Sequence, residues 1–88
     1  AGRLHDHDTP EHHLLREEIE QAVTDTVAGL PEDLRQAITL REVDGLSYEE
    51  IAQLMQCPIG TVRSRIFRAR EAIDARLRPL MDKERVRP

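Results

Sequence analysis

The stretch PIGTVRSRIFRAR, residues 58–70, concentrates the side chains of this chain that have the most distinctive chemistry. Five hydroxyl or guanidinium groups, on Thr61, Arg63, Ser64, Arg65 and Arg68, precede Arg70, and Phe67 stands among them. An arginine can donate two hydrogen bonds to O6 and N7 of guanine. Serine and threonine can bond a base edge or a phosphate, and an apolar ring can lie against the methyl group of thymine. Gly60 and the free N–H groups of a first helical turn would admit a phosphate at short range. Together these groups suit the major groove of a duplex.

To act together, they must share one side of one element. Pro58 cannot continue a preceding helix but is well suited to begin a new one, so a helix is predicted from here onward. At about 100° per residue, Ile59, Val62, Ile66, Ala69, Ile73 and Leu77 fall on one side. Gly60, Arg63, Ser64, Phe67, Arg68 and Glu71 fall on the other, with Thr61 and Arg65 on the flanks. Phe67 is thereby expected in the middle of an exposed, arginine-lined face rather than in a core.

Three further helices are expected ahead of it. Thr9 as N-cap and Pro10 at the first helical position open helix 1, whose apolar stripe is Leu15, Ile19, Val23 and Val27 with Ala22 beside it; Gly29 closes it. Helix 2 starts at Pro31, with Glu32 and Asp33 suited to the positive end of its dipole. Its inward residues are Leu34, Ala37 and Ile38, flanked by Leu40 and Val43, and Gly45 supplies a left-handed stop. In helix 3, Ser47 and Glu50 form a capping box, Leu46 and Ile51 can staple across it, and Ile51, Ala52, Leu54 and Met55 are expected to be buried. A short helix, a brief break at Gln56 and Cys57, and a second helix with a polar outer side make a helix-turn-helix, although Gln56 stands where such turns often carry glycine. The expected organisation is one all-α, four-helix domain over residues 10–79, between a flexible lead (1–9) and a tail (80–88).

Composition and charge agree with a small binding domain. Eighty-eight residues, 39% of them apolar, allow one modest core. Residues 1–57 hold four arginines against thirteen acids, a balance of −9, whereas residues 58–88 hold nine basic residues against four acids, a balance of +5. That asymmetry, within a net charge of −4, points to a polyanionic partner for the second part. The single cysteine, Cys57, cannot form an internal disulfide, so a reducing cytoplasm is the expected setting, and no apolar run suggests membrane insertion. No glycine-rich phosphate loop and no nucleophile with a placed base is present, so an enzyme is not expected.

Three gapless blocks, LPEDLR, DGLSYEEIA and CPIGTVRSRIFRAREAI, lie within residues 30–77. They closely resemble region 4 of bacterial extracytoplasmic-function sigma factors, especially the sigma-E group. In that family the turn glycine is commonly absent. The resemblance implies recognition of the promoter −35 element in double-stranded DNA by a monomer, docking on the β flap of core RNA polymerase, and restraint by an anti-sigma factor. It implies no cofactor. Carried over residue by residue, the base-reading positions are Arg63, Ser64, Phe67 and Arg68, and the backbone-contacting positions are Arg41, Tyr48, Pro58, Gly60, Thr61 and Arg65.

Plainer readings stand beside these. The arginines could solubilise a helix and pair with Glu71 and Asp74 at helical spacing, an effect worth about 0.2–0.5 kcal/mol each. Phe67 could pack against the C-terminal segment, and Tyr48 could cover the edge of the core. His5, His7, His12 and His13 are clustered, but an unstructured segment offers no fixed ligand geometry, and no metal is assigned. The competing binding modules are the helix-turn-helix output domain of a dimeric response or quorum-type regulator, and a helical domain that uses its arginines on an acidic protein.

Overall fold

The structure, a computed structural model, describes the backbone of residues 10–86 and the side chains of residues 10–82. Four helices follow one another: α1 (Pro10–Ala28), α2 (Glu32–Glu42), α3 (Tyr48–Met55) and α4 (Ile59–Val86). Among the described residues there is no strand.

Each connection has a local cause. The Gly29 N–H is shared between the carbonyls of Asp25 and Thr26, which ends α1. Pro31 is the N-cap of α2, one residue outside the helix it was expected to begin, and its carbonyl accepts from the Arg35 N–H at 2.9 Å. At the far end, the Leu46 N–H reaches back to the Leu40 carbonyl while Gly45 takes φ +71°. A Cβ at Gly45 would meet nothing within 4 Å, so glycine is needed there for its dihedral freedom and not for space. The capping box of α3 is complete: the Ser47 hydroxyl accepts from the Glu50 N–H, and the Glu50 carboxylate accepts from the Ser47 N–H at 2.8 Å.

The break between α3 and α4 runs through Gln56 at φ 53°, ψ 54°. A non-glycine residue therefore occupies the left-handed position that glycine often fills in such turns. The N–H groups of Gln56 and Cys57 both bond the Ala52 carbonyl. Pro58 then stands just ahead of α4, and its carbonyl accepts from Thr61 and Val62. The helix passes through Pro79 without ending there; Pro79 lacks the N–H that would bond Ala75, but at an exposed position water can satisfy that carbonyl.

The core is aliphatic and centred on α4. Ala37 and Ile38 of α2, Ile51 of α3, and Val62, Ile66 and Ala69 of α4 form one buried cluster, closed by half-buried residues that include Leu34, Ala52, Met55 and Ile73. α1 packs chiefly against α4, and of its apolar stripe only Ala22 is buried, because its contacts with α2 and α3 are slight and leave most of its surface uncovered.

Leu54 departs from expectation. It was placed on the buried side of α3 but is 64% exposed. Ile51 and Ala52 point toward α2 and α4, whereas Leu54, three residues past Ile51, lies off the edge of that contact, and among the described residues no further element covers it. Val43, expected to flank the inward side of α2, is likewise exposed beyond the last turn of that helix.

Because a side chain in the left-handed region is strained, Gln56→Gly should leave the fold intact and raise stability by up to ~1 kcal/mol. A urea titration monitored by circular dichroism measures this, and a lower midpoint would show that the Gln56 side chain contributes more than its strain costs.

Candidate nucleic-acid interface

The inward and outward sides of α4 have opposite environments. Val62 and Ala69 have no exposed surface and Ile66 has 1%, whereas Phe67 is 62% exposed. Gly60, Arg63, Ser64, Arg68 and Glu71 are exposed along with Phe67, and Thr61 and Arg65 are half-buried at its flanks. The four positions expected to read bases therefore lie together on solvent-facing turns, on a helix anchored from behind. Among the described residues, neither Arg63 nor Arg68 makes an ion pair. Their donors remain available to a ligand. At the start of the helix, the N–H groups of Ile59 and Gly60 have no intrahelical acceptor, and the space beside Gly60 is open.

Arg41, Arg65 and Arg70 are tied to the scaffold. Arg41 donates from Nη1 to the Leu46 carbonyl at 2.8 Å, and its guanidinium carbon lies 5.0 Å from the centroid of the Tyr48 ring. It thus spans the α2–α3 connection, bonding one residue of the loop and stacking on the first residue of α3. One guanidinium donor is used and the rest remain, so the same side chain can brace the loop and face an anion. Tyr48 is half-buried, and its ring serves as the platform for Arg41.

On one flank of α4, the Arg65 Nε lies 3.6 Å from the Asp33 carboxylate, and its Nη1 lies 3.7 Å from the Cys57 sulfur. On the other, the Arg70 Nη2 is 2.6 Å from the Glu42 carboxylate. Glu42, with a smaller contribution from Tyr48, raises the Arg70 pKa further above its already basic value, so the guanidinium stays charged at any working pH. The pairing of Arg70 with Asp74 that helical spacing suggested is replaced by this contact with α2. Asp33 and Glu42 stand near the two ends of α2, so that helix is pinned to α4 at both ends.

Neither contact was legible from local spacing, since Glu42 and Arg70 are 28 residues apart. The only sequence signal was the presence of acids in a helix that would have to cross a basic one. Cys57, in the break ahead of α4, is half-buried against the core. Of the clustered histidines, His5 and His7 lie outside the described residues, whereas His12 and His13 stand on α1 rather than in an unstructured segment, and His13 Nε2 is 3.2 Å from Glu17. Among the described residues no group of three side chains could hold a metal, and no helix is long and apolar enough to cross a membrane.

Comparison with known proteins bears on this geometry. Residues 20–73 match the family described as Sigma-70, region 4. The chain is 63% identical over 78 residues to an ECF RNA polymerase sigma-E factor of Haemophilus influenzae, a match that covers 89% of this chain and 41% of the relative. Sigma-E factors of Escherichia coli K12 and of Salmonella typhimurium LT2 are each 64% identical over 81 residues, covering 92% of this chain and 42% of theirs. The chain thus spans about two fifths of the length of these relatives.

Arg41→Ala removes both the loop bond and the stacking contact. It is expected to destabilise the fold by about 1–2 kcal/mol, measured by urea denaturation. An unchanged midpoint would mean that Arg41 does not brace the α2–α3 connection.

Proposed function

The chain belongs to the sigma-70 region 4 family, and from that premise we propose that it recognises the promoter −35 element as a monomer and thereby directs core RNA polymerase in transcription initiation. The observation that carries this reading is the two-sidedness of α4. Its aliphatic side is locked into the core, while Arg63, Ser64, Phe67 and Arg68 face outward as one group. In this reading Arg63 and Arg68 donate to guanine edges, Ser64 bonds a base edge, and Phe67 lies against a thymine methyl. Arg41, Tyr48, Pro58, Gly60, Thr61 and Arg65 fix the register on phosphates, with the first-turn N–H groups of α4 beside them.

The two classes of contact have separable signatures. In a fluorescence titration with duplexes selected from a randomised pool, Arg68→Ala should weaken the selected duplex by about 1–3 kcal/mol and relax preference at one base pair. Arg41→Ala should weaken every duplex alike and flatten the salt dependence. A uniform, position-independent loss from both changes would remove the division into reading and anchoring residues. Failure to enrich any sequence from the pool would remove −35 recognition itself.

The partners follow the same reading. A groove between α2 and α3, lined by Arg35, Gln36, Thr39, Leu40, Leu54 and Met55, leaves Leu54 largely uncovered, and we assign it to an apolar segment of the polymerase β flap. The acidic first part of the chain would meet polymerase or an anti-sigma factor rather than DNA, in the cytoplasm where the polymerase works. Leu54→Asp should weaken binding to an isolated β flap fragment by about tenfold or more and leave duplex binding unchanged. Equal flap binding by both proteins would exclude this groove.

A further inference from the structure

Among the exposed arginines between Ile59 and Arg70 on α4, Arg70 is the one whose charge is neutralised by a carboxylate rather than left free. Arg63, Phe67 and Arg70 stand at i, i+4 and i+7, so they share one stripe of the helix. Arg63 makes no ion pair among the described residues, whereas Arg70 Nη2 is held 2.6 Å from Glu42 Oε2. Glu42 adjoins Arg41 in the chain, and Arg41 stacks on Tyr48. The edge of the candidate interface that carries Arg41, Tyr48 and Arg70 thus contains two guanidinium groups, of which Arg70 is held by a carboxylate.

We propose that Glu42 withholds Arg70 from the DNA backbone and so limits the sequence-independent part of duplex affinity. The inference rests on duplex binding by the outward side of α4, and it adds to that reading a residue acting against binding strength. Both side chains of the pair are about half exposed, at 49% and 54%, so the pair contributes little to folding and its bond can be exchanged for another. A phosphate oxygen is an equivalent acceptor for Nη2, but it must displace a carboxylate that the fold keeps permanently at hand. Without that carboxylate, the Arg70 charge would be unpaired and would neutralise one more phosphate. Base preference would not change, because a phosphate contact carries no sequence information.

The test uses the whole chain and a labelled duplex of random sequence, titrated between about 50 and 200 mM salt. Glu42→Gln should bind about five- to tenfold more tightly near 0.1 M salt and steepen the slope of log K against log salt by about 0.9. Arg70→Gln alone should leave the slope unchanged, and Glu42→Gln with Arg70→Gln should bind as Arg70→Gln does. If the double variant bound as tightly as Glu42→Gln, Glu42 would act only as a nearby negative charge and the proposal would fail. It would fail equally if Arg70→Gln alone flattened the slope, because Arg70 would then already contact phosphate. That last comparison does not need a foldable Glu42 variant. A random duplex probes Arg70 whether or not the chain prefers a −35 sequence, so failure of −35 recognition registers separately, as equal affinity for selected and random duplexes.

Discussion

The rest of the structure depends on burying one side of α4. Val62, Ile66 and Ala69 have almost no contact with solvent, and Ala37, Ile38 and Ile51 from two other helices close over them. In a domain this small, those few aliphatic side chains are most of the available driving force for folding. Rotating α4 about its axis would expose several of them at once, at about 25 cal/mol for each Å² of apolar surface returned to water. The rotation of the helix is therefore set from the inside. Its outward side inherits that precision without making any contact of its own.

Burial fixes how α4 is rotated but is less specific about how it is tilted, because apolar contacts are not directional. The ion pairs supply direction. Asp33 near the start of α2 faces Arg65, and Glu42 at its end holds Arg70, so α2 meets α4 through charged contacts on both flanks of the buried strip. The bond from Arg41 to the Leu46 carbonyl and its stacking on Tyr48 then couple the end of α2 to the start of α3. Each of these contacts is partly exposed and individually weak. Their effect is to choose among orientations that the core alone would tolerate. Arginines near the candidate interface accordingly divide by geometry: Arg41, Arg65 and Arg70 brace the scaffold, while Arg63 and Arg68 are left with free donors.

This division also explains the distribution of charge. The acids of the first part are not uniformly remote from the basic helix, since two of them touch it at its flanks. Local neutralisation leaves the positive field concentrated on the outward turns near the start of α4, where a polyanion can approach a helix end bearing unpaired N–H groups. The same small core leaves Leu54 outside it, on a groove that α2 and α3 line and that no other helix covers among the described residues.

Helix number, order and most boundaries were legible in the sequence, because capping and termination are local. Ser47 with Glu50, Gly45 after α2, and Pro58 ahead of α4 all act within a few residues of their place in the chain. The two sides of α4 were legible as well, since helical periodicity alone separates Val62, Ile66 and Ala69 from Arg63, Phe67 and Arg68. Only the tertiary structure decided which apolar residues are covered, excluding Leu54 and Val43, and which carboxylate each arginine meets. Those outcomes depend on the crossing of helices distant in sequence, and no local pattern encodes a contact between residues 42 and 70. The chemistry of the interface was therefore written in the order of residues, whereas the arginines actually free to perform it were chosen by packing.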